Sequence, residues 1–207
     1  LYDTLLPPLS DSPLQSPLFH RLFTLSDLRD LCGIVYFPMT RSLGLFDEPM
    51  LPGPRRPGGP PIWFAGRKPP ALRRIGRLGD GFLAYVITPD MYRAALTTIS
   101  DAADAAGRGA VPFGTGHLLF TRLDKDYETA LDRATDTLSV RYAMDFRRAA
   151  ERYCALGTPA MVAERIRAFH AAGVRHIALD LLGPYEQRDR QIEWFASEAM
   201  PLLRDLM

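Results

Sequence analysis

Arg67 and Lys68 stand between an apolar run and a pair of prolines, in the stretch "PPIWFAGRKPPALRRIGRLGDGF", residues 60–82. Two cations beside a glycine at the end of a strand are suited to holding an anion. Gly66 lets the backbone approach a ligand closely. A helix opening at about Pro69 adds free N–H groups and the positive end of its dipole. A guanidinium can grip two phosphate oxygens at once. A phosphate site here would consist of the Ala65, Gly66 and Arg67 backbone with the Arg67 and Lys68 side chains. The same residues also fit a solvated basic turn with a structural glycine, and spacing alone leaves both readings open.

Other groups that could do chemistry are more scattered. His117 and His176 each open an apolar run, at the amino end of a strand and away from the ligand-binding rim of a parallel sheet, so both read as structural. His170 sits near a helix C-terminus, where a partial positive charge is favourable. His20 has no assignable place. Asp180 lies late in the last apolar run, at the rim where ligands bind, and Tyr85 and Thr121 occupy comparable positions. Cys32 and Cys154 are the only cysteines. One distant pair is neither a disulfide framework nor a zinc site, and buried free thiols in a cytoplasmic protein are expected. G-x-G-x-x-G after a strand, G-x-x-x-x-G-K-[ST], H-E-x-x-H and G-x-S-x-G are all missing. Catalytic residues are not assignable, no metal is expected, and an enzyme built on this chain would take its chemistry from a cofactor.

The elements that must position these residues are legible after residue 60. "IWFAG" (62–66), "GFLAYVI" (81–87), "HLLFTRL" (117–123) and "HIALDLL" (176–182) read as buried strands. Between them lie amphipathic helices. One carries Leu72, Ile75 and Leu78, with Arg73, Arg74 and Arg77 on a solvated face. Thr88–Pro89 and Thr158–Pro159 read as helix starts, with Gly107 ending the first of these helices. One long helix is expected from Asp126 to Tyr153. A last one spans 186–206, with Ile192, Phe195, Ala199 and Leu203 facing inward. Strand and helix alternating four times imply parallel strands with right-handed crossovers. An open doubly wound sheet and part of an eight-fold (β/α) barrel both fit.

Residues 1–59 differ. Of 18 prolines, 13 lie in residues 1–70, too dense for long helices. This segment reads as irregular, with at most a short helix (27–32) and strand (34–37), and "MLPGPRRPGGPP" as a linker. The division expected is thus 1–59 and 60–207. Net charge is +1, and only Lys68 and Lys125 are lysines, so nothing draws the chain globally to nucleic acid or membrane. No apolar run reaches the roughly 18 residues that span a bilayer. The first residues lack a basic n-region, so a secretory leader is not expected.

Three segments carry a family resemblance. "PPIWFAGRKPPALRRIGRLGDGFLAYVITPDMYRAAL", "GTPAMVAERIRAFHAAGVRHIALDLLGP" and "IEWFASEAMPLLRDL" resemble, in order, stretches of the bacterial luciferase-like flavin-dependent oxidoreductases. The resemblance covers about residues 60–207. It implies an α/β fold, the C-terminal half of a TIM-type barrel with about four βα units. It further implies reduced FMN or the related deazaflavin coenzyme, acting on a small organic substrate by monooxygenase chemistry or hydride transfer. The family's flavin-phosphate turn corresponds to Ala65, Gly66 and Arg67, with Lys68 beside it, and Asp80 is a turn residue. A half-barrel has open sheet edges, so a homo-oligomer or a complementing half-barrel is expected. The alternative is a non-catalytic half-barrel that binds a partner.

Overall fold

The computed structural model describes residues 60–109 and 112–206 of the 207. The expected short helix, strand and linker before residue 60 lie outside the described residues. Strands β1 (Trp63–Phe64), β2 (Gly81–Tyr85), β3 (Gly114–Leu123), β4 (Ala155–Gly157) and β5 (His176–Leu181) form one parallel sheet. Helices α1 (Pro69–Leu78), α2 (Pro89–Ala105), α3 (Tyr127–Tyr142), α4 (Arg147–Tyr153), α5 (Pro159–Ala171) and α6 (Arg188–Trp194) connect and close it.

The order is β1-β2-β3-β5, with Gly81 opposite Gly114 and Gly116 opposite His176. Thr121 pairs with both Ala155 and Leu181. β4 therefore lies on the β2 side of β3, beyond the end of β2. This short strand was not expected from the sequence, because three residues carry no alternation to read.

Helix starts follow local chemistry. Thr88 Oγ1 accepts the Met91 N–H at 3.3 Å, Thr158 Oγ1 the Met161 N–H at 3.5 Å, and an Asp126 carboxylate oxygen the Thr129 N–H at 2.7 Å. Each satisfies an N–H that the helix itself leaves unpaired. Several expected bounds shift. β3 begins at Gly114, so His117 stands inside the strand rather than opening it. β2 stops at Tyr85, because Val86 turns into the left-handed region (φ 51). The helix expected over 126–153 is two, broken where Ala143 adopts φ 51. The expected terminal helix is α6 flanked by a 3-10 turn (Tyr185–Gln187), then a π-helical turn (Phe195–Ala199) and a 3-10 stretch (Met200–Leu206). That change of pitch rotates the apolar stripe, and Ile192 points outward, 49% exposed.

Alternation along β3 sends its side chains to two different cores. His117, Leu119 and Leu123 face the outer layer, with Phe82, Ala84, Tyr92, Val162 and Phe169. Phe120 faces the opposite side, where α3 and α4 bring Leu131, Ala134, Leu138 and Phe146. α3 and α4 pack against the carboxyl-terminal part of this inner face. Trp63 on β1 and Leu83 and Tyr85 on β2 stay 38, 36 and 43% exposed.

His117 is enclosed by the outer core. Its ring stacks on Phe169 at 4.2 Å, and Nδ1 lies 3.1 Å from the Ala84 carbonyl oxygen. Burial pulls its pKa down to about 4; the Ala84 carbonyl opposes this and the Arg165 charge adds to it. The native state therefore takes up the proton later than the unfolded chain, whose histidine titrates near 6.5. His117 costs no stability above that pH and progressively more as pH falls toward 4. Urea unfolding across pH 4–6.5 should show stability rising with pH, at up to about 1.4 kcal/mol per unit from this group. His117→Gln should flatten that slope.

Candidate functional site at the carboxyl end of the sheet

Among the expected site residues, Ala65, Gly66, Arg67 and Lys68 form the turn between β1 and α1, at the carboxyl end of the parallel strands. Ligands of parallel α/β folds bind at this end. Arg67 crosses to the neighbouring strand, and its Nη1 donates to the Val86 carbonyl oxygen at 2.9 Å. Val86 is β-branched, and such residues rarely adopt positive φ. The Arg67 bond and packing of Val86 against the inner core hold it there. The two turns are thereby tied into one rim.

Lys68 is the N-cap of α1 in an extended conformation, with no capping hydrogen bond from its side chain. The helix end is a poorer anion cradle than the sequence reading assumed. Pro69 and Pro70 fill its first two positions and have no N–H, so of the first three helical residues only Ala71 carries a donor. Gly66 has a packing reason of its own: a Cβ there would lie 2.7 Å from the Ala71 Cβ. What the turn offers an anion is the exposed cationic pair Arg67 and Lys68, the dipole of α1 and a close-approaching backbone. These residues fit an anionic group such as a cofactor phosphate.

The other expected residues separate by face. Tyr85 and Asp180 project onto the inner face. Asp180 pairs with Arg141 of α3, Nη1 to Oδ2 at 2.7 Å, and the Arg141 guanidinium stands 5.8 Å from the Phe120 ring centre. Thr121 turns the other way, is buried, and donates to the Leu119 carbonyl oxygen at 3.0 Å. It does not reach the site. Asp80 accepts the Ile62 N–H at 2.9 Å and pairs with Arg108 at 3.3 Å, so it fastens the turn before β2, at the opposite end of the sheet. His176 sets its ring 5.4 Å from Trp63, edge to face. Cys154 is buried and its thiol is pushed up to about 12 by burial, so it stays protonated and inert. Cys32 and His20 lie outside the described residues.

Two features of the site region were missed in the sequence. Trp63 lies across a floor of Gly81, Gly114 and Gly116. A Cβ on Gly81 or Gly116 would come within 2.5 or 2.7 Å of the indole, and one on Gly114 would collide with it outright. "GTG" at residues 114–116, in alternation with Gly81, was the available signal. The second is Arg122, buried beneath the rim. It donates to the Leu182 carbonyl oxygen at 3.0 Å and Gln187 Oε1 at 2.8 Å, and pairs with Asp124 at 3.4 Å. The amide of Gln191 caps the end of β3, accepting from Leu123 N–H and donating to its carbonyl at 2.9 and 3.0 Å. A lone polar residue in an apolar strand gives no sequence sign of which distant groups will meet it.

Comparison with known proteins bears on this arrangement. The sequence pattern of the luciferase-like monooxygenases matches residues 40–176. The chain belongs to the luciferase-like monooxygenase family. Over 101 residues it is 35% identical to the phthiodiolone/phenolphthiodiolone dimycocerosates ketoreductase of Mycobacterium tuberculosis, a match covering 47% of this chain and 25% of that protein. The fold resembles monooxygenase RslO1 from Streptomyces bottropensis, at TM-score 0.56 and 26% identity, over 73% of this chain and 51% of that one. It also resembles an F420-dependent secondary alcohol dehydrogenase solved with an F420-acetone adduct, at TM-score 0.58 and 19% identity, over 70% of this chain and 49% of that one. The match thus spans a quarter of the curated relative and about half of each solved structure. The family places the sheet in a TIM-barrel-like fold, which decides between the two architectures the sequence left open. Among the described residues no helix is long and apolar enough to cross a membrane.

Proposed function

We propose that this protein binds reduced FMN or the deazaflavin F420 by its phosphate at Ala65–Lys68, and takes part in oxidation or reduction of a small organic substrate. The observation that carries this reading is the Arg67–Lys68 turn, set at the carboxyl end of the strands in a chain of this family. Arg67 offers the charge-assisted grip, Lys68 a second cation, and Gly66 lets the turn lie close against α1. When bound, the cofactor supplies the hydride, or the electrons that activate oxygen. The protein's own part is to hold the phosphate and, through the Arg67–Val86 bond, to keep the adjoining turns in place. Relatives named as F420-dependent and as a monooxygenase support a flavin-type cofactor class. A buried free thiol at Cys154 is in keeping with a cytoplasmic enzyme.

Arg67→Ala is expected to weaken binding of reduced FMN or F420, titrated in parallel, by about 1–3 kcal/mol, the scale of a hydrogen bond to a charged group. Arg67→Lys should restore part of the loss, and the thermal midpoint separates lost binding from lost fold. Unaltered titration in a folded Arg67→Ala protein would rule out the phosphate assignment. The second reading, a non-catalytic partner-binding module, is favoured by one observation: the exposed aromatic and aliphatic side chains on the inner face. A chain that associates but binds neither coenzyme would support it.

A further inference from the structure

Two arginines at the carboxyl end of the sheet have partners of different charge. Arg67 donates to a neutral acceptor, the Val86 carbonyl oxygen, and so keeps its full positive charge. Arg141 meets a carboxylate, Asp180. Helix α3 delivers Arg141 from its last turn. Asp180 is the next-to-last residue of β5, in register opposite Phe120 of β3. It is the only carboxylate that the described strands turn to the inner face. Side chains that point inward at the carboxyl ends of parallel strands are the ones that meet ligands.

The pair is docked through one strong bond. Arg141 Nη1 donates to Asp180 Oδ2 at 2.7 Å, whereas Nη2 stands 3.5 Å from Oδ1, longer than the usual N–H···O bond. A donor and an acceptor are thus left side by side. The guanidinium lies 5.8 Å from the Phe120 ring centre, and Tyr142 backs that ring edge to face at 6.4 Å. Its orientation is therefore set from two sides. Buried Arg122 differs, since its donors are engaged by Leu182, Asp124 and Gln187. We propose that Arg141 and Asp180 together bind the hydroxyl group of an uncharged organic substrate. A hydroxyl accepts one hydrogen bond while donating another. It can accept from Arg141 Nη2 and donate to Asp180 Oδ1 at the same time. A carbonyl oxygen would bring no donor for Oδ1, and a carboxylate would be set against the Asp180 charge. Arg67, whose charge is not compensated by its carbonyl partner, is the one suited to an anion.

The assignment rests on the reading that a small organic substrate binds at this end of the sheet. Saturation-transfer NMR on the 207-residue chain tests it, with cyclohexanol, cyclohexyl methyl ether and cyclohexanecarboxylate as probes. Cyclohexanol should bind at least about tenfold more tightly than the other two, the scale of one hydrogen bond to a charged group. Arg141→Met should abolish that preference. Asp180→Asn removes the counter-charge and should reverse it, so that cyclohexanecarboxylate binds more tightly than the alcohol. Asparagine keeps an oxygen for Arg141 Nη1, so the reversal is readable even where Arg141→Met does not fold. If the pair only ties α3 to β5, both substitutions lower the thermal midpoint and the order of the three probes does not move. That outcome overturns the proposal, as does an unsubstituted chain with no preference for the alcohol. Titration of the same samples with reduced FMN and F420 reads the cofactor assignment separately. A chain that prefers the alcohol but binds neither coenzyme overturns the cofactor reading alone. A chain that binds a coenzyme without that preference overturns the hydroxyl site alone.

Discussion

Replacing Arg122 by methionine is expected to destabilise the protein by about 3–5 kcal/mol, the range for breaking a buried ion pair from one side. Methionine keeps most of the aliphatic stem, so the loss reports the polar contacts. Without the guanidinium, the Leu182 carbonyl and Gln187 Oε1 each lose a donor, and Asp124 loses a buried cation. Two observations place the result toward the lower end. Arg133 also reaches Asp124, at 3.1 Å from a half-exposed position, and would keep that carboxylate compensated. Among the described residues Arg122 Nε has no hydrogen-bond partner, so the native state already carries part of the cost of burying this group. Burial pulls the Arg122 pKa below its usual value while the Asp124 charge raises it. Urea denaturation should show a lower midpoint at an unchanged slope. A loss below about 1 kcal/mol would mean that the network is dispensable. The change also bears on the rim. Gly183 packs directly against the Arg122 guanidinium, so the loop after β5 is held from below by this side chain.

Gly76→Ala is expected to destabilise by about 3 kcal/mol, at the top of the usual range for overpacking. Helix propensity predicts the opposite sign, since alanine in a helix interior is favoured over glycine by about 1 kcal/mol. Packing decides the sign. Gly76 lies where α1 crosses α2. A Cβ there would enter the van der Waals shell of the Ile99 carbonyl oxygen and approach Ala102 Cβ to 2.8 Å and Ala103 N to 3.0 Å. Two of these atoms are backbone and cannot swing aside, so the helices must separate. α1 carries Leu72 and Ile75 into the outer core, and its first turn adjoins Arg67 and Lys68, so separation would loosen both. Thermal unfolding checks the sign, and a stabilised variant would show that the crossing yields freely.

The Gly114 position behaves differently for a physical reason. Its obstacle is the ring of Trp63, a side chain on an open face. A substitution there can be relieved by swinging the indole into solvent. The sequence marks both glycines alike, and only the identity of the neighbouring atoms tells a rigid obstacle from a movable one.

The sequence by itself determined the alternation of strands and helices after residue 60, the threonine–proline helix starts, the burial of Cys154 and the family. Each is written in local periodicity, capping chemistry or a contiguous motif, so one segment suffices to read it. Only the tertiary structure decided how the site is assembled. It set Arg67 against the Val86 carbonyl, turned Asp180 inward to Arg141 and Thr121 outward, buried Arg122 under the rim and laid Trp63 on its glycine floor. It also broke the long helix at Ala143 and rotated Ile192 to the surface. These outcomes depend on register between strands and on which atoms meet across tens of residues. A one-residue shift along a strand exchanges its faces, and no single segment records that choice.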